Sequence, residues 1–173
     1  MSSREAKLNM PPIVSIVGRS ESGKTTLIEK LIPELRRRGY RIGTIKHTHH
    51  AIEIDRTGKD SARHRSAGAE TVMLASSGQV AMIKTTGTEG LDGLIRYFED
   101  VDLLITEGYK REKTPKIEVL RKAVDVDLLC RHDPGLIAVA TDTNLEVHVP
   151  VFRLDDPIPI ADFIEERFLG QRG

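Results

Sequence analysis

Apolar positions follow two different periods along the chain. Ile13, Val14, Ile16 and Val17 form a short, nearly continuous run, the pattern of a buried strand. Directly after it, residues 25–38 place Leu27, Ile28, Leu31, Ile32 and Leu35 at helical spacing, which predicts a helix with one buried face. Arg36, Arg37 and Arg38 complement the carboxyl end of its dipole, and Gly39 is the expected closing residue. Pro33 interrupts this run, removes a backbone donor and predicts a bend or a locally broken turn. Residues 40–46 read as a second strand, 47–58 as a polar, turn-rich loop and 59–67 as a short helix ending at Gly68. Residues 71–75 and 79–85 flank Ser76-Ser77-Gly78, which predicts a hairpin added to the sheet. Residues 88–97 follow as a helix and 101–106 as a continuous apolar strand of the parallel kind. Further strands at 117–120 and 136–140 precede Pro157 and a terminal helix ending near Phe168. The sum is an α/β fold: a mostly parallel sheet with helices on both faces and an added antiparallel hairpin. Ligands of such sheets bind beyond the carboxyl ends of the strands.

Composition narrows the classes. The 173 residues fit one domain of ordinary size, over 12–170, behind a polar tail at 1–11 that is expected to be disordered. Cys130 is the single cysteine, which leaves no internal disulfide. No apolar run approaches the ~20 residues of a membrane helix, and the amino end has no signal-peptide pattern, so a cytoplasmic location is expected. Lys plus Arg equals Asp plus Glu at 26 each, so the whole chain offers no field for nucleic acid or an anionic membrane. The sparse aromatics argue further against a stacking platform for single strands.

The chemistry concentrates after the first strand. Gly18-Arg19-Ser20-Glu21-Ser22-Gly23-Lys24-Thr25 spells G-x-x-x-x-G-K-[ST], the P-loop of nucleoside triphosphate binding, and it continues into Thr26. Its glycines let the backbone curl so that N–H groups face a phosphate, Lys24 adds a point charge, and the Thr25 hydroxyl opens the helix where Mg²⁺ would be ligated. Glu107 ends the strand of residues 101–106 and is the acid expected to face that metal. Asp55 and Asp60 are both candidates for a second metal-side carboxylate, with Asp60 favoured. No N-K-x-D motif is present to read guanine. Asp142 after the strand of residues 136–140 is the nearest substitute, and from these residues GTP and ATP both stay open. No catalytic base and no water-positioning glutamine stand out.

With Ile45-Lys46-His47-Thr48-His49-His50, Gly58-Lys59-Asp60-Ser61 and Thr106-Glu107-Gly108-Tyr109-Lys110 added to the P-loop, the chain resembles the adaptor proteins of molybdopterin-guanine dinucleotide biosynthesis, from about residue 12 to 168. The resemblance implies a GTP-binding, weakly hydrolysing homodimer that uses Mg²⁺ and assists attachment of GMP to molybdopterin. It also implies association with the molybdopterin guanylyltransferase and the molybdenum-inserting enzyme, and contact with molybdopterin or its guanine dinucleotide. Gly18, Gly23, Lys24 and Thr25 would form the phosphate loop, with Thr25, Asp60 and Glu107 on the metal. Lys46, His47, Arg63, Lys110 and Arg111 would form an anion-binding rim. Arg19 stands where some dimeric relatives carry a lysine that acts across the interface, and it is the candidate for that role here.

Two other functions compete. A nickel or other metal-chaperone GTPase would use His47, His49, His50, Cys130 and His132 as ligands. An ATP-dependent kinase or ligase would need a substrate pocket beside the γ-phosphate.

Overall fold

The computed structural model describes residues 10–48, 59–87 and 90–170. Residues 1–9 of the expected tail, and His49, His50 and Asp55 among the candidates, lie outside the described residues. The chain divides into two compact units, one of Met1–His47 with Leu91–Gly173 and one of Thr48–Gly90.

The first unit carries a six-stranded sheet made of β1 (Ile13–Val17), β2 (Ile42–Lys46), β5 (Leu103–Glu107), β6 (Lys116–Leu120), β7 (Leu136–Thr141) and β8 (Val151–Arg153). Strand numbers 3 and 4 belong to the second unit. The order is β2-β5-β1-β6-β7-β8 and every pairing is parallel, so all six carboxyl ends lie along one edge. β6 and β7 are buried at every position; β7 is a nearly continuous apolar run, and the two charged residues of β6, Lys116 and Glu118, are both partnered. β8 falls outside the predicted strands because its three residues are too short to show a period.

Helix α1 (Lys24–Arg37) covers one face with α4 (Ile158–Ile164). Leu27, Leu31 and Leu35 pack there with Ile160 and Ile164 on Val14, Ile16, Leu103, Ile105, Ile117 and Val119. α1 runs through Pro33 without a break. Pro33 and Glu29, whose carbonyl loses its partner, are both exposed, so water takes the freed acceptor. The helix closes as predicted. Gly39 has φ 88°, its N–H donates to Arg36 O at 2.9 Å, and Tyr40 N–H donates to Leu35 O at 3.2 Å.

On the other face, α3 (Leu91–Ile95) runs into a 3₁₀ turn at Arg96–Phe98. The Phe98 ring rests where a Cβ on Gly43 would be, 2.6 Å away, and that space requires glycine on β2. The remaining area is covered without a helix: Val17, Leu120 and Val139 pack against Leu128, Cys130, Leu145 and Val147 from the connections 121–135 and 142–150.

The second unit holds α2 (Asp60–Ser66) and the antiparallel pair β3 (Thr71–Ala75) and β4 (Val80–Lys84). Ser76 N–H donates to Gln79 O at 2.8 Å and closes the predicted hairpin. The hairpin forms a sheet of its own and does not join the six strands, a correction to the expectation of an added strand pair in one sheet.

Candidate functional site

Between β1 and α1 the backbone takes left-handed values at Gly18 (φ 145°), Glu21 (φ 62°) and Gly23 (φ 99°). A Cβ on Gly18 would meet Val119 O at 2.5 Å, so the loop presses onto β6 and tolerates no side chain there. Ser22 is buried in the curl with its Oγ unpartnered among the described residues. Lys24 Nζ donates to Arg19 O across the loop at 2.6 Å. Burial lowers the Lys24 pKa, with Glu107 acting upward and Lys46 downward. Ser20 and Thr26 are exposed. Arg19 pairs with Asp125 of the same chain, so its guanidinium is already engaged.

Thr25 Oγ1 donates to both Glu107 oxygens at 3.0 Å, and Lys46 Nζ stands 3.4 Å from Glu107 Oε1. β5 runs one residue beyond its predicted end, to Glu107, and pairs with β1 on one side and β2 on the other. That pairing is why residues far apart in sequence meet. His47 N–H donates to Glu107 O at 3.0 Å, and Gly108 (φ 99°) with Tyr109 (φ 56°) then turns the chain so that the Tyr109 ring rests on His47, centroids 4.9 Å apart. Lys110 and Arg111 are exposed on the same turn. Beneath it, Thr106 Oγ1 donates to Ser15 Oγ at 2.8 Å, and Ser15 Oγ lies 2.6 Å from Thr114 Oγ1, a buried hydroxyl chain joining β5, β1 and the approach to β6. Buried Lys116 donates to Glu112 O and Thr114 O and pairs with Asp133 at 3.1 Å, which satisfies its charge.

On the opposite side of β1, a cleft of about 360 Å³ opens beside the P-loop, lined by Thr26, Lys30, Arg121, Asp142 and Asn144 among others. Lys122 N–H donates to Asp142 Oδ1 at 2.8 Å and fixes that carboxylate at the end of β7. Arg121 was not among the sequence candidates. The available signal was its place at the carboxyl end of a buried strand next to the P-loop strand.

Asp60 and Arg63 belong to the second unit, where they face each other at 3.4 Å with side chains 88 % and 75 % exposed. Cys130 is buried in the core beside Glu118, and burial first, then the carboxylates of Glu118 and Asp133, push its thiol up to about 11. Glu118 is itself raised by burial while it accepts N–H bonds from Leu129 and Cys130 at 2.6 and 2.8 Å. A thiol held neutral in this way is a poor metal ligand, His132 is exposed, and no three His, Cys, Asp or Glu side chains converge among the described residues. No described helix is long and apolar enough to cross a membrane.

The arrangement offers a curled backbone with a lysine, a hydroxyl and a carboxylate as hard oxygen donors, and an adjoining cleft of nucleoside size. Residues 13–142 match the family described as molybdopterin guanine dinucleotide synthesis protein B, MobB. The chain is 42 % identical over 160 residues to a molybdopterin-guanine dinucleotide biosynthesis adapter protein of Haemophilus influenzae, covering 91 % of this chain and 89 % of the relative. It is 37 % identical over 175 residues to the protein of the same name from Escherichia coli, covering 95 % and 97 %. A crystal structure of molybdopterin-guanine biosynthesis protein B superposes with a TM-score of 0.73 at 34 % identity, over 89 % of this chain and 98 % of that one. Bacillus subtilis MobB superposes with 0.72 at 27 % identity, over 92 % and 99 %.

Proposed function

Because the chain belongs to the MobB family, we propose that it is an adapter of molybdopterin-guanine dinucleotide biosynthesis which binds GTP with Mg²⁺ and turns it over slowly. The observation that carries the nucleotide part is the Thr25 hydroxyl 3.0 Å from both oxygens of Glu107 beside Lys24. The residues fit the ion: a hydroxyl and a carboxylate are the hard oxygen ligands Mg²⁺ takes, with water completing the shell. Mg²⁺ bound there would neutralise β- and γ-phosphate charge. The curled backbone of residues 18–24 binds and orients the phosphates, Lys24 leaves Arg19 O for them, and Lys46 stays near Glu107 to balance its charge.

Lys46, His47, Lys110 and Arg111 form the anion-binding rim. The working form is a cytoplasmic homodimer whose 12–170 body docks the molybdopterin guanylyltransferase and the molybdenum-inserting enzyme, with molybdopterin or its guanine dinucleotide meeting the rim. Slow turnover suits this role, because a state that lasts can be read by a partner enzyme.

Calorimetric titration with GTP and ATP, with and without Mg²⁺, on wild type and Glu107→Gln tests the reading. GTP preference and a Mg²⁺ dependence that disappears in the variant are expected. ATP preference, or fast unaided hydrolysis, would overturn it.

A further inference from the structure

Arg121 has no part in the phosphate chemistry above. Its Nη2 lies 3.0 Å from the position of a Cβ on Gly23, and its Nε is buried without a hydrogen-bond partner among the described residues. Arg121 and Asp142 line the same cleft, at the ends of the adjacent strands β6 and β7, and Lys122 next to Arg121 holds Asp142 through its N–H at 2.8 Å. The strand order puts them across β1 from Glu107 and Lys46, in the cleft that reaches Gly23 and Thr26 of the P-loop and so adjoins any phosphates held there.

We propose that Arg121, together with Asp142, selects guanine in this cleft; the inference rests on the reading of the P-loop as a GTP site. The polarity of the two side chains makes the selection. Arginine only donates, and guanine presents the acceptors O6 and N7. An ionised aspartate only accepts, and guanine presents the donors N1–H and N2–H. Adenine keeps the N7 acceptor but carries an amino donor at position 6 and an acceptor at N1, so Arg121 loses one of its two acceptors and Asp142 meets an acceptor in place of a donor. Asp142 supplies the half of guanine recognition that the missing N-K-x-D motif would give, and Arg121 supplies the other edge.

The test is calorimetric titration of the full chain in Mg²⁺ with GTP, ATP and xanthosine triphosphate. Arg121→Gln should weaken GTP about tenfold or more and ATP less. Asp142→Asn should weaken GTP and gain affinity for xanthosine triphosphate, whose C2 carbonyl accepts from the new amide where guanine's amino group donated. A gain of affinity cannot arise from misfolding, and a thermal melt checks the Arg121 variant. Equal losses for GTP and ATP in Arg121→Gln, or no loss, would overturn the role of Arg121, and no gain for xanthosine triphosphate would overturn that of Asp142. A wild type that binds ATP as well as GTP would overturn the GTP reading itself, a failure visible before either variant is measured.

Discussion

The residues that carry the site differ in how far their roles reach beyond their own neighbourhood. Gly18 is constrained twice, by φ 145° and by Val119 O 2.5 Å from any Cβ, so Gly18→Ala must move either the loop or β6. The expected cost is about 1–3 kcal/mol in urea denaturation, with loss of GTP binding in calorimetry. The motif around it was legible in the sequence, since glycines, lysine and threonine at fixed spacing describe a local curl. Glu107 was legible too, as the acid at a strand end. Arg121 was not, because an arginine after an apolar run reads as a solvated turn until its strand is seen beside the P-loop. Cys130 went the other way: near His132 in sequence it suggested a ligand, but it is part of the core.

Among the elements, α1 shows how local chemistry and packing divide the task. Gly39→Ala places a Cβ at φ 88° with open space around it, so the cost is conformational, about 1 kcal/mol, and a lower urea midpoint with an unchanged slope is expected. Tyr40 and Arg38, at the end of α1, hold Glu165 just beyond α4: Tyr40 OH donates to Oε1 at 2.7 Å and Arg38 Nη1 to Oε2 at 2.6 Å. The Tyr40 bond first, then that of Arg38, keeps the Glu165 carboxyl below its ordinary value of 4.5. A depressed carboxylate contributes stability above its unfolded value and loses it as pH falls through the folded one. Denaturation followed from pH 6 to strongly acidic pH should therefore show stability falling below about pH 4.5, and Glu165→Gln should flatten that slope. The hairpin illustrates a limit of pattern reading. Its strands and turn were readable from two short runs flanking Ser-Ser-Gly, but whether two strands join a larger sheet depends on pairing partners that no window of sequence contains.

At the scale of the whole molecule, a ligand that binds the folded chain and not the unfolded one raises its stability. Mg²⁺ with GTP at a hundred times Kd should add about 2.7 kcal/mol, read as a higher Tm, with a smaller rise for ATP and none in Lys24→Ala. Such linkage needs the site assembled, and the assembly is non-local: Thr25 and Glu107 are 82 positions apart, and their contact exists because β5 pairs with β1. The strand and helix that flank residues 18–25, the curl of that loop and the left-handed turn at Gly39 were already written in the order of residues, because period and glycine placement act over a few positions. The meeting of Lys46 with Glu107, the seating of Arg121 against Gly23 and the separate sheet of the hairpin came from the fold, because strand pairing joins distant segments through backbone hydrogen bonds that every residue type can make.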